Sequence, residues 1–359
     1  MRILGISSMF HDAAVSVIED GEILFASHSE RYSRVKNDPF LNKEIIEKAL
    51  SYGLPDAIVF HEDSMLKKKR QLKTLNWHAI KAAFTEPTQE EWVKRFYPQL
   101  KGIPTFNYLH HESHAAAGAL TSPYDECAVM TIDAIGENQT ATIYKFERDK
   151  GFTLLSEVLF PNSLGLFYSA ATARCGLKPM EDEYILMGMA AYGKELYVDD
   201  IKEQLFKPMD YPHQAFATKV NLQRGLPKDF LPNADDFDLA ASVQRVTEER
   251  IMAYAKYARE LTGINNLVFM GGCALNCVAN SLLYKYFDNI WIMPNPGDAG
   301  SSLGAAAMHW YKQTGKKVTE KEFIELINSN PNIGLERIYD KYGNIIKYYI
   351  DPNSINNRT

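Results

Sequence analysis

The sequence predicts a two-lobed α/β fold, with a mixed sheet and helices in each lobe and an active-site cleft between the lobes. Three observations carry this expectation. A strand–turn–strand–turn–strand unit opens the chain in "RILGIS" and "AAVSVIEDGEILFAS", and it returns about 126 to 130 residues later in "CAVMTIDAIGENQTATIYKFERDKGFTLLSEVL". In both copies a polar turn follows the first strand, "SSMFHD" in one and "DAIGEN" in the other. Further on, "NLVFMGGCALN" and "NIWIMPNPGDAGSS" each read as a strand, a glycine-rich turn and a helix, the alternation of a parallel sheet.

"RILGIS" is a short apolar strand, and Asp20-Gly21 is a strong turn pair that makes a hairpin of the residues on either side. "NKEIIEKALSYG" is a helix with a glycine stop, and "DAIVF" is a strand. Residues 65–101 form a polar, aromatic insertion. "AASVQRVTEERIMAYAKYARELTG" is a long amphipathic helix, again with a glycine stop. A duplicated unit that opens each lobe points to the actin/hexokinase-type (ASKHA) fold. We expect lobe I over residues 1–124 with its insertion at 65–101, lobe II over 125–298, and a returning helix with a peripheral tail over 299–359.

A chain of 359 residues with 46% hydrophobic and 23% charged residues buries a large core and reads as a soluble globular protein. Its net charge of −6 excludes a general polyanion binder. "MRILGISSMFHDAAVSVIEDG" is not a secretory signal, because His11 and Asp12 interrupt its apolar stretch. No run reaches the roughly 18 apolar residues that span a bilayer. Four cysteines make no disulfide framework, so the expected home is the cytoplasm, away from membranes. Cys273 and Cys277 read as small buried residues on one helix face. The run "LKKKRQLK", with Lys67, Lys68, Lys69, Arg70 and Lys73, is either a solvated helix face or a contact to an anionic substrate.

"NYLHHESHAAAG" packs three of the nine histidines into five positions. In a helix His110 and His114 share a face, and His111 points elsewhere. Two imidazoles on adjacent turns chelate zinc or iron; capping and core roles remain open for them. The HExxH motif is excluded, since Ala115 stands where its second histidine would be. The alanines that follow let another element pack closely. A metal site needs a further ligand, and Asp133 and Asp298 are the candidate carboxylates, both at strand-to-loop positions facing the cleft. Gly271-Gly272 and "PGDAGSSLGAA" supply glycine turns whose N–H groups can approach a phosphate, although tight packing accounts for either turn alone.

"GISSMFHDAAVSVIEDG", "SERYSRVKND", "HHESHAA", "TIDAIGE", "SLGLFYSAAT", "DEYILMGMAAYG", "GGCALNCVAN" and "NPGDAGSSLGAA" occur in this order over roughly residues 1 to 310. Together they resemble the O-carbamoyltransferase family of nodulation-factor, cephalosporin and aminoglycoside carbamoyl-transferring enzymes. That family's transferase domain is similar to the tRNA threonylcarbamoyl transferase and has the actin/hexokinase-type fold. The resemblance implies that His110 and His114 bind a catalytic metal, usually Fe2+, that Asp298 completes the site, and that Asp133 is a fourth ligand or an outer partner. It places the nucleotide part of the donor against Gly271, Gly272 and Asn276, with Glu183 on the ribose.

The implied chemistry moves a carbamoyl group from carbamoyl adenylate, made from ATP and carbamoyl phosphate, to an acceptor hydroxyl. His11 is the candidate base, oriented by Asp12. Arg31 and Lys36 are candidates to neutralise the donor's charge. The acceptor is a small molecule or a hydroxymethylated base in nucleic acid. Three departures from the family pattern matter: Asp133-Ala134 replaces the usual Asp-Gly, Ile185 replaces a lysine, and the chain is too short for the second domain that makes carbamoyl adenylate. A separate activating protein is therefore an expected partner. The rival functions are a threonylcarbamoyl-type tRNA transferase and a non-catalytic nucleotide- or metal-binding subunit.

Overall fold

The computed structural model describes residues 1–320 apart from 74–76, 210, 212, 213 and 228, and beyond residue 320 the strands Leu335–Tyr339 and Ile345–Ile350. The first sheet contains β1 (Arg2–Ser7), β2 (Ala14–Glu19), β3 (Glu22–His28), β4 (Ala57–Phe60) and β5 (Thr105–Asn107), in the spatial order β3-β2-β1-β4-β5. The second contains β6 (Glu126–Ile132), β7 (Gln139–Glu147), β8 (Gly151–Leu159), β9 (Asn266–Met270) and β10 (Asn289–Trp291), in the order β8-β7-β6-β9-β10. The orders are the same, and so are the senses. In each sheet the first strand pairs antiparallel with the second and parallel with the fourth. The duplication expected from the two polar turns is therefore present in the fold, and a short β11 (Thr319–Glu320) extends the first sheet beyond β3. The central strands are buried on both faces, which is why they read as continuous apolar runs rather than alternating ones.

Two helices fill the space between the sheets, and their placement is crossed. The histidine helix, His110–Thr121, follows the first sheet in sequence but packs against β6, β7 and β9 of the second. The helix Asp298–Thr314 follows the second sheet but packs against β1, β2 and β4 of the first. The two helices also pack on each other. Their facing rows are alanine, glycine and serine, so the backbones come very close. A Cβ on Gly304 would stand 1.9 Å from the Ser113 carbonyl oxygen. This is the close packing that the alanine run after His114 foreshadows, and it brings both ends of the crossed pair to one point.

Two local expectations need correction. Asp298 is not in a loop; it is the first residue of its helix, where a carboxylate is favoured by the helix dipole. The helix expected directly after Gly271-Gly272 breaks into a 3-10 turn Gly272–Leu275 and a four-residue helix Cys277–Asn280. Asn276 causes the break, because its side chain caps the N–H of Ala279 and pairs with Gln244. Cys277 is left exposed rather than buried on a shared face.

Candidate metal centre and donor cleft

The crossed helices deliver three of four converging side chains. His110 and His114 come from the histidine helix, one turn apart. Asp298 comes from the N-terminus of the other helix, and Asp133 follows the end of β6. All four are buried. His110 Nε2 lies 2.9 Å from Asp133 Oδ2, 3.1 Å from His114 Nε2 and 3.4 Å from Asp298 Oδ1. His114 Nε2 lies 3.2 Å from Asp298 Oδ1 and 3.9 Å from Asp133 Oδ2. Ligands about 2.1 Å from a shared ion stand about 3.0 Å apart at a right angle and about 3.4 Å apart at the tetrahedral angle. Four of the five spacings, 2.9 to 3.4 Å, match the edges of such a polyhedron and the 3.9 Å pair subtends a wider angle, so this donor set fits a divalent ion.

The surroundings fix the donors. Ser301 Oγ lies 3.0 Å from His114 Nδ1, and with Nδ1–H donating to it the Nε2 lone pair is left facing the cluster. The Gly272 N–H donates to Asp133 Oδ1 at 3.1 Å, and the Gly271 N–H donates to the Pro296 carbonyl at 2.9 Å. Both glycine amides are thus engaged within the protein, one of them in orienting a candidate ligand. Gly271 has φ +90° with Ile132 directly beneath it, so only glycine fits. Burial opposes ionisation of Asp133 and Asp298, yet the His110 imidazole holds both carboxyls well below the usual range. Burial also pushes His110 down, but Asp298 and Asp133 carry it up to about 10. His111 is held near 3 and His61 near 4 by burial. Two buried carboxylates thus demand positive charge, from protons on imidazoles or from a cation.

A cleft of about 310 Å³ opens from this cluster. His11, Asp12, Asp133 and Asp298 line it. Gly272, Asn276, Tyr168, Glu183 and Lys36 line it as well. His11 Nδ1 is 2.9 Å from Asp12 Oδ2, and His11 Nε2 is 3.5 Å from Asp298 Oδ2. Burial lowers His11, and the neighbouring Asp298 and Asp12 outweigh it and raise it to about 9. Lys36 crosses the mouth to the Tyr184 hydroxyl at 3.3 Å and lies over the Tyr184 ring. Glu183 accepts from Ser169 Oγ at 2.6 Å and from the Met180 N–H at 2.7 Å. Arg31 is exposed on the short helix Glu30–Ser33 and does not line the cleft. Sequence reasoning missed Tyr168 and Gln244, which form one hydrogen-bonded network with Asn276. Nothing local marks them, because Gln244 lies mid-helix and Tyr168 sits in an apolar run.

The basic run is largely spent inside the protein. Lys67 pairs with the buried Glu62 at 2.9 Å, Lys68 donates to the Glu86 carbonyl at 2.7 Å, and Arg70 donates to the Gly136 carbonyl. Lys69 is exposed, and the Lys73 side chain lies outside the described residues.

Fold and site together define a duplicated actin/hexokinase-type protein with a histidine–carboxylate cluster at the base of its interlobe cleft. Residues 2–307 match the family model described as carbamoyltransferase N-terminus, and the chain belongs to that family. It is 35% identical over 353 residues to the uncharacterized protein sll1178 of Synechocystis sp., covering 87% of this chain and 57% of that protein. It is 26% identical to nodulation protein NolNO of Sinorhizobium fredii, covering 93% of this chain and 51% of that protein. It is also 26% identical to the 3'-hydroxymethylcephem-O-carbamoyltransferase of Amycolatopsis lactamdurans, covering 82% and 57%. The chain thus spans between 51% and 57% of the length of these relatives. Among solved structures, full-length HypF in its phosphate- and nucleotide-bound form aligns over 89% of this chain and 56% of its own, with a TM-score of 0.52 at 14% identity, a likeness of fold. Among the described residues no helix is long and apolar enough to cross a membrane.

Proposed function

We propose that this chain carries out metal-dependent O-carbamoyl transfer from carbamoyl adenylate to the hydroxyl of a small molecule. The observation that carries the reading is the joining, in one cleft, of the His110–His114–Asp133–Asp298 cluster to a wall containing Gly272, Asn276 and Glu183. Iron(II) or another divalent first-row ion suits two imidazoles and two carboxylates. Bound there, it supplies a Lewis acid beside the donor's carbonyl or phosphoryl oxygen.

The chain's own residues hold and orient the reactants. Glu183, fixed by Ser169 and Met180, presents its carboxylate to the ribose hydroxyls. Lys36, at the mouth, sits where the donor's phosphoryl charge would enter. The acceptor oxygen forms a bond to the carbamoyl carbon, the bond from that carbon to the adenylate oxygen breaks, and AMP leaves with the electron pair. With a cation held by Asp298, the carboxylate that otherwise keeps His11 protonated is offset, and the neutral ring then takes the hydroxyl proton at Nε2, while Asp12 holds Nδ1 and so keeps the ring aimed into the cleft. A small acceptor is favoured over nucleic acid because Lys67, Lys68 and Arg70 are engaged within the protein.

The test supplies carbamoyl adenylate, generated in situ from ATP and carbamoyl phosphate by an added adenylate-forming enzyme, with a panel of hydroxyl acceptors. Mass spectrometry is expected to find a carbamoyl adduct that depends on bound metal and is lost in His11→Ala. An adduct of equal yield in metal-stripped protein would refute the mechanism.

A further inference from the structure

The turn between β6 and β7 holds a carboxylate that the proposed chemistry does not use. Glu137 is 4% exposed. Its Oε1 accepts from the His110 N–H at 3.0 Å and from the Asp63 N–H at 2.8 Å, and its Oε2 lies 3.2 Å from the same His110 nitrogen. His110 is the first residue of its helix, and the preceding Leu109 offers no side-chain cap. The His110 amide is therefore one of the donors that a helix start leaves without an internal partner. Glu137 supplies the partner from another element, and its charge suits a helix N-terminus.

The same turn is anchored from the insertion. Asp63 immediately precedes the helix Ser64–Lys73, and Arg70 on that helix donates to the carbonyl of Gly136. Lys67 of the helix pairs with Glu62. The basic run thus ends, through two residues of one turn, on the backbone of His110.

We propose that Glu137 is a positioning residue for the metal centre: it pins the His110 backbone and thereby aims Nε2 at Asp133 and Asp298. The inference rests on the reading of the four-donor cluster as a divalent cation site. An imidazole is carried rigidly by its Cα once χ1 is packed, so a slip of the first helical residue moves the ligand atom directly. Glu137 holds that residue by its only described amide partner, and the helix-dipole charge it adds is secondary to this geometry.

The experiment titrates the full-length, metal-free chain with Co2+, reads the visible ligand-field bands for affinity, and records Tm in parallel. Glu137→Gln retains the accepting oxygen, Glu137→Asp retains the charge on a shorter arm, and Glu137→Ala retains neither. We expect the parent and Glu137→Gln to bind one Co2+ alike, with Glu137→Asp weaker and Glu137→Ala weakened by about 10- to 100-fold, the range for outer partners of metal ligands. Asn42→Ala, which loses the cap of the helix Lys43–Leu50 and removes none of the four donors, is the stability control and should lower Tm without changing cobalt affinity. If Glu137→Ala does not fold, Glu137→Asp against Glu137→Gln carries the comparison. Parent-like cobalt affinity in folded Glu137→Ala or Glu137→Asp would overturn the positioning role while leaving the metal site intact. A parent chain that takes up no cobalt would overturn the metal reading itself, and this inference with it.

Discussion

Gly304→Ala is the sharpest test of how the metal centre is built. By helix propensity alone the change should stabilise the chain by roughly 1 kcal/mol, since alanine is the better helix former. The structure reverses the sign. The new Cβ would stand 1.9 Å from the Ser113 oxygen and 2.9 Å from the Ala117 Cβ, where real Cβ contacts stay beyond 3.0 Å. Both neighbours are helix residues, so the two crossed helices must part by about 1 Å, an overpacking that costs about 1–3 kcal/mol. The parting also acts on the site. Ser301 and Asp298 lie on the helix that moves, and their separations from His114, 3.0 and 3.2 Å, would grow by a similar amount. A spacing beyond about 4 Å exceeds what most angles around a 2.1 Å coordination sphere allow. We therefore expect a urea midpoint lower than the parent's with an unchanged slope, together with weaker Co2+ binding by titration. A variant at least as stable as the parent, binding cobalt as tightly, would refute the argument that backbone contact between these helices sets the ligand geometry.

Three further outcomes follow. His110→Ala and Asp298→Asn should each lose most bound metal, measured by elemental analysis, while circular dichroism keeps the parent's secondary structure. In the metal-free chain, His11 and His110 are raised from 6.5 to about 9 and about 10, so their stabilising pairing is fully present below about pH 6.5 and is lost as pH rises through 9 to 10; Asp133 and Asp298 are depressed, so theirs is present above about pH 4 and is lost in acid. Ligation needs neutral imidazoles, so the Tm gained on adding metal should widen from pH 6 to 8 in thermal scans, and a gain that shrinks over that range would contradict the ligand assignment. Lys67→Met leaves the buried Glu62 without its ammonium and should cost about 3–5 kcal/mol by urea unfolding; a variant as stable as the parent, with an acceptor KM that becomes salt-insensitive, would return the basic run to a substrate-facing role.

Much of the fold is legible in the sequence because duplication leaves marks that survive divergence of side chains. Asp20-Gly21 and Lys150-Gly151 close equivalent hairpins, and the polar turns after β1 and β6 fall at matching places. The His110–His114 pair is legible because the helical period alone aligns it. What eluded the sequence depends on contacts between distant segments. That Gly272 would donate to Asp133 rather than wait for a phosphate follows from how β9 lies beside β6, which no local pattern encodes. The basic run looked like a surface because its partners, Glu62, the Glu86 carbonyl and the Gly136 carbonyl, are brought to it only by folding. The break at Asn276 escaped notice for a similar reason: its cap is local, but the Gln244 amide that holds it belongs to another helix.

The crossing of the two central helices has a mechanical consequence. Each half of the chain has placed one helix in the other half's keeping, like two hands clasped at the wrist. The cluster lies at the clasp, with ligands from both arms. Pulling the halves apart would shear His114 from Asp298 before it widened the cleft. Motion that admits a substrate would then fall at the rim, where Lys36 meets the Tyr184 hydroxyl and ring and the Glu181 carbonyl. An ion at the clasp would act as a rivet, tightening the pivot while leaving the rim free to swing.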